Sequence, residues 1–137
     1  MVLLIMEAVM MQTIETKVRE YLTAVGDKDL ARVEGLLAPD VTFVGPAMSL
    51  SGARDVLAAL RRIGAIHVRS DIKRVFVDGD EACVIYDFVT DTVGVVPTIE
   101  WLGFEAGRIR SVKLYYDQVP WQTLRQELAK RATQPTA

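Results

Sequence analysis

From His67 onward, apolar residues recur at every second position, and Asp78-Gly79 interrupts them with a strong hairpin signal. A period of two means strands with one face buried. The spacing predicts strands over roughly 66–77 and 81–90, a looser turn over 91–96, then strands near 97–105 and 108–117, together an antiparallel meander. Ahead of it the period is helical. Ile14, Val18, Tyr21, Leu22 and Val25 recur at spacings of three and four, with Thr13 as the expected cap and Gly26 as the end. Asp27 is the expected cap of a second helix carrying Leu30, Val33, Leu36 and Leu37, stopped by Pro39. Residues 41–44 read as a strand broken by Gly45-Pro46. Ser51-Gly52 then opens a third helix with Val56, Leu57, Leu60 and Ile63 inward, ended by Gly64. A short helix over 121–130 closes the chain.

With 137 residues, half of them apolar, the chain suits one domain with its own core, so we expect a single unit over 13–131, an apolar extension over 1–12 and a flexible tail over 132–137. A net charge of −2 with interspersed signs offers no basic stripe, which argues against nucleic acid. The lone Cys83 has no disulfide partner within the chain and reads as a small buried hydrophobe, pointing to a cytoplasmic, reducing setting. Residues 1–11 are apolar except for Glu7. They lack a basic leading segment and a small-residue cleavage site and are too short to span a bilayer, so no membrane association is expected. They read as a helical extension, or as lying ahead of a start at Met10 or Met11.

The turn at 105–108 decides what faces the interior. A two-residue loop sets Glu100 opposite Lys113, an ordinary cross-strand ion pair. A bulge with Gly107 in the left-handed region shifts the pairing by one residue and puts Glu100 on one face with Val112, Leu114 and Tyr116. Glycine at the third turn position favours the bulge.

The stretches 18–30 (VREYLTAVGDKDL) and 36–43 (LLAPDVTF), the Ser51-Gly52 helix start, Gly107-Arg-Ile and Tyr115-Tyr-Asp117 together resemble the nuclear transport factor 2-like superfamily, in its SnoaL-like and ketosteroid isomerase-like branch. The resemblance implies an α+β fold: a cone-shaped barrel in which a curved, mostly antiparallel sheet packs against three helices of the N-terminal half, a cystatin-like roll. It also implies a ligand cavity inside and a homodimer formed through the open sheet face, where Ile99 and Trp101 would pack. Such a fold serves isomerases, hydrolases, cyclases and plain binding modules.

Carried over from the ketosteroid isomerases, the oxyanion-hole tyrosine falls at Tyr21 and the proton-retaining acid at Glu100, while the general base falls at Gly45. The isomerase reading therefore lacks its base. Similarity to limonene epoxide hydrolases fails likewise, because the last-strand aspartate of their Asp-Arg-Asp set falls at Leu114. What the resemblance leaves is a SnoaL-type acid–base enzyme without cofactor or metal, with Glu100 catalytic and Tyr21 and Tyr86 as hydrogen-bond donors. Phe43, Phe88, Leu102, Phe104, Val112, Leu114, Tyr116 and Trp121 would line the wall for an apolar small molecule. The other reading is a non-catalytic dimeric binding module. The single histidine, His67, rules out a site built from several imidazoles, and no glycine-rich phosphate loop occurs.

Overall fold

A computed structural model describes residues 1–134. Among the described residues four helices and six strands follow in the order α1 (Val2–Gly26), α2 (Leu30–Leu36), β1 (Leu37–Gly45), β2 (Met48–Ser51), α3 (Ala53–Ile63), β3 (His67–Asp78), β4 (Glu81–Thr90), β5 (Gly94–Glu105), β6 (Arg108–Tyr116) and α4 (Gln118–Ala132). The strands form one sheet in the order β2-β1-β6-β5-β4-β3, antiparallel except where β1 joins β6. Its two ends do not meet. Helix α1 packs on β3 and α3 on β1, so the sheet and helices enclose an interior between them. Among the described residues no helix is long and apolar enough to cross a membrane.

Alternation along β4 buries Ala82, Val84, Tyr86 and Phe88 and turns Cys83, Ile85 and Asp87 outward. Cys83 is therefore half-buried on the outer face beside Trp101, rather than the core residue its apolar neighbours suggested. Along β5 the same alternation buries Val96, Thr98, Glu100, Leu102 and Phe104 and leaves Ile99 and Trp101 on the open face. There Trp101 donates through its indole to Glu81 at 2.9 Å, and the Lys113 ammonium lies 4.8 Å from the ring centre.

Several expected boundaries moved, each for a local reason. Helix α1 begins at Val2, and Thr13, expected as a cap, sits inside it with its hydroxyl donating to the Val9 carbonyl one turn back at 2.9 Å. Its first twelve residues, 2–13, are exposed. The α2 cap is Asp29, which accepts from the Arg32 amide at 3.2 Å; Lys28, at φ +60°, turns the chain between the two helices. Leu37 opens β1 instead of ending α2. Strand β2 went unforeseen, and Pro39 lies inside β1, where the pairing with β6 jumps between Leu37 and Thr42 and no ladder amide is required. Pro120 occupies the first turn of α4, whose amides have no helical partner. Of the expected tail, Ala132 closes α4, Thr133 is its C-cap, and residues 135–137 lie outside the described residues.

The β5–β6 hairpin combines both expected arrangements. Its loop is the two-residue Ala106-Gly107, with Glu105 opposite Arg108 and both loop residues in the left-handed region, at φ +51° and +80°. The bulge comes later: Phe104 pairs with Ile109 but Gly103 with Ser111, leaving Arg110 as the extra residue. Arg110 turns to solvent and forms ion pairs with Glu105 and Asp40. From there on, Glu100 faces Leu114.

Ala106 thus adopts a conformation that costs an L-residue with a plain side chain about 1 kcal/mol. Ala106→Asn creates the Asn-Gly pair that such loops favour and should raise unfolding stability by about 0.5–1 kcal/mol in urea titration.

Candidate functional site

A cavity of about 270 Å³ opens between the concave sheet face and α1, α3 and α4. That volume falls just below the roughly 300–1,000 Å³ typical of ligand pockets, which suits a small ligand. Its wall is apolar: Leu22 and Val25 from α1, Phe43, Met48 and Leu50 from β1 and β2 with Ala47 between them, and Leu60 and Ile63 from α3. Phe88, Leu114 and Tyr116 come from the sheet, and Trp121 and Leu128 from α4. Five of the expected wall residues, Phe43, Phe88, Leu114, Tyr116 and Trp121, lie here. Leu102, Phe104 and Val112 do not; they are buried in the core away from the cavity, because the sheet there packs directly on its neighbours.

Glu100 also lines the cavity and is 2% exposed. Its strand neighbours on the inner face are Val84 and Leu114, and neither of them solvates charge. Tyr86 donates its hydroxyl hydrogen to Oε2, while Oε1 is buried with no partner. Loss of solvation pushes the carboxyl from 4.5 up to about 7, with the Tyr86 hydrogen bond only partly offsetting it. Tyr21, on the buried stripe of α1, feels the charge of Glu100, and its own hydroxyl is held well above the ordinary range, first by burial and then by that charge. Tyr86 is raised in the same way. Both phenols therefore remain donors at neutral pH.

The structure thus brings Glu100, Tyr21 and Tyr86 together, but the Tyr86 proton is committed to Glu100. Tyr21 makes no hydrogen bond to the described residues. An aromatic run borders the site: His67 stacks on Phe88 at 4.4 Å, Phe88 on Trp121 at 5.6 Å, and Trp121 meets Tyr116 at 5.2 Å. His67 is buried, with Nε2 3.0 Å from the Ser70 hydroxyl, and burial lowers its pKa. The Gly45 position is closed by Tyr116: a Cβ there would meet the Tyr116 hydroxyl at 3.3 Å. Among the described residues no group of three His, Cys, Asp or Glu side chains could hold a metal.

Sequence reasoning missed Thr98 and Ser70 on the strands, and Arg62 and Arg125 on the helices, all of which line the cavity. Arg125 was within reach, since Trp121, Arg125 and Leu128 share one helical stripe. Arg62 borders Leu60 and Ile63, yet its charge reads as solvent-facing.

The sequence pattern of the SnoaL-like domain matches residues 18–112, well over half of the chain. The chain belongs to the SnoaL-like family. No curated protein sequence matches it. Solved structures share the fold at low identity. A Kribbella flavida protein has a TM-score of 0.75 and 24% identity over 84% of this chain and 95% of its own. A Catenulispora acidiphila protein of ketosteroid isomerase-like fold, in complex with trimethylamine, has a TM-score of 0.66 and 20% identity, covering 74% and 85%. An epoxide hydrolase of limonene epoxide hydrolase-like type from Mycobacterium tuberculosis has 0.70 and 18%, covering 90% and 98%. The fold is thus that of the nuclear transport factor 2-like superfamily, as the resemblance implied. Among the described residues Glu100 is the one carboxylate in this cavity's wall.

A raised carboxyl pKa has a definite linkage sign. Between about pH 4.5 and 7 the unfolded chain releases this proton while the folded chain keeps it, so burial of Glu100 makes stability fall as pH rises through that window. The total is up to about 3 kcal/mol at ~1.4 kcal/mol per pH unit. His67, lowered by burial, acts in the opposite direction below its ordinary pKa of 6.5, so the difference between wild type and Glu100→Gln isolates the glutamate. In denaturant titrations the two proteins should be alike near pH 4.5, with the variant gaining relative stability up to pH 7 and level beyond.

Proposed function

We propose that this SnoaL-like chain is a cofactor-independent acid–base enzyme acting on a small, largely apolar molecule bound in the cavity, in a cytoplasmic setting suited to its lone thiol. The observation that carries the reading is a carboxyl group buried in an apolar cavity with one oxygen fixed and the other without a partner. Tyr86 orients Glu100 through Oε2, leaving Oε1 to exchange a proton with the ligand. With a pKa of about 7, both protonation states are populated at neutral pH, so one group can take a proton from an acidic carbon and return it elsewhere. Tyr21, neutral and unengaged, donates to the substrate oxygen on which negative charge develops. Cyclisation and isomerisation of a carbonyl compound both fit that cycle and need no redox step.

A second reading is a dimeric binding or interaction module. In its favour, Ile99, Trp101 and Tyr115 form an exposed apolar row on the open sheet face, 36%, 41% and 51% exposed, which a second copy would cover. This reading assigns Glu100 no chemistry.

The experiment is consumption of compounds from a small-molecule extract of the host, followed by mass spectrometry. Wild type should deplete at least one compound, Glu100→Gln should do so at least about 10²-fold more slowly, and Tyr86→Phe by a smaller factor. Equal depletion by the Gln variant would remove Glu100 from the mechanism, and no depletion by wild type would favour the module.

A further inference from the structure

We propose that the ligand is an amphipathic organic anion: an apolar body inside the cavity bearing a carboxylate that Arg62 and Arg125 hold at the mouth, with the Trp121 indole N–H as a third donor. This rests on the cavity being a ligand site and deepens that reading by naming the chemical class.

The polar lining divides by burial. Glu100 of β5 and the phenols of Tyr86 of β4 and Tyr21 of α1 are buried, whereas Arg62 of α3 and Arg125 of α4 line the same cavity and are exposed to solvent. Neither guanidinium has a hydrogen-bond or salt-bridge partner among the described residues. By contrast, Arg32, Arg69, Arg110 and Arg131 each meet a carboxylate. Other unpartnered arginines occur on the surface; these two alone among them border the cavity. Arg125 also lies near enough to Tyr116 for its charge to act on that phenol.

Trp121 supplies the independent observation. It lines the cavity, yet its indole N–H is buried with no acceptor, a cost that folded proteins seldom leave uncompensated. An acceptor brought by the ligand would remove that cost. Guanidinium groups favour carboxylate oxygens over neutral acceptors by geometry and charge, and two of them repel a cationic ligand. The apolar wall between mouth and Glu100 fixes the remainder: a hydrophobic body with a neutral polar atom at its far end.

The test measures binding of three probes of one shape at pH 6, where Glu100 largely keeps its proton: 2-naphthoate, 2-naphthylmethanol and 2-naphthylmethylammonium. Naphthoate should bind about tenfold more tightly than the alcohol, and the ammonium most weakly. In Arg62→Gln/Arg125→Gln the naphthoate advantage should disappear while alcohol affinity and melting temperature hold. Added salt should erode the advantage in wild type. Equal or tighter binding of the alcohol or the ammonium, or naphthoate affinity unchanged in the double variant, would overturn the anion assignment and leave the cavity reading intact. If the folded chain binds none of the three probes, the cavity reading fails with it.

Discussion

The burial of Glu100 is the constraint around which the site is organised. A carboxyl group surrounded by Val84, Leu114 and the cavity, with no cation beside it, cannot hold its charge as it would in water, so its proton affinity rises into the neutral range. A lysine partner would have reversed that direction. The chain avoids one by a single inserted residue. Without the bulge at Arg110, the two-residue loop would set Glu100 against Lys113; with it, Lys113 stays on the outer face over Trp101 and Glu100 meets Leu114.

That dependence explains why the sheet was easier to read than the site. Strand β4 was legible to the residue because one face is uniformly apolar and the turn at Gly79 is tight. The inward side of Glu100 followed from counting across the hairpin, but the device was misread: the sequence carries a glycine at the third turn position, while the structure forms a mirror-image loop with Ala106 where Asn is favoured and puts the bulge at Arg110. Nothing local marks Arg110, whose ion pairs reach Asp40 on a different strand.

Punctuation residues carry more than one structural meaning. Pro39 has the signature of a helix end yet lies inside β1, because the irregular stretch of the β1–β6 pairing spares its missing amide. Thr13 has the chemistry of a cap and sits mid-helix, its hydroxyl returned to the preceding turn. Leu102, Phe104 and Val112 share a face with the cavity wall; the pattern of a strand gives the face but not how far along it the interior stays open. Arg62 was hidden for the complementary reason, since a charged residue at the rim has the same period as one in bulk solvent.

The acid–base account and the anion account use the buried and the exposed polar groups of one cavity, and both require the surroundings of Glu100 to be dry enough to hold a proton near neutrality. The most direct measurement is a carbon-13 NMR titration of the Glu100 side-chain carboxyl, assigned by its absence from the Glu100→Gln spectrum. A midpoint near pH 7 is predicted, moving further upward when an apolar ligand displaces water from the cavity. A midpoint near 4.5 would mean that the carboxyl is solvated, and the proposed chemistry would lose its proton carrier.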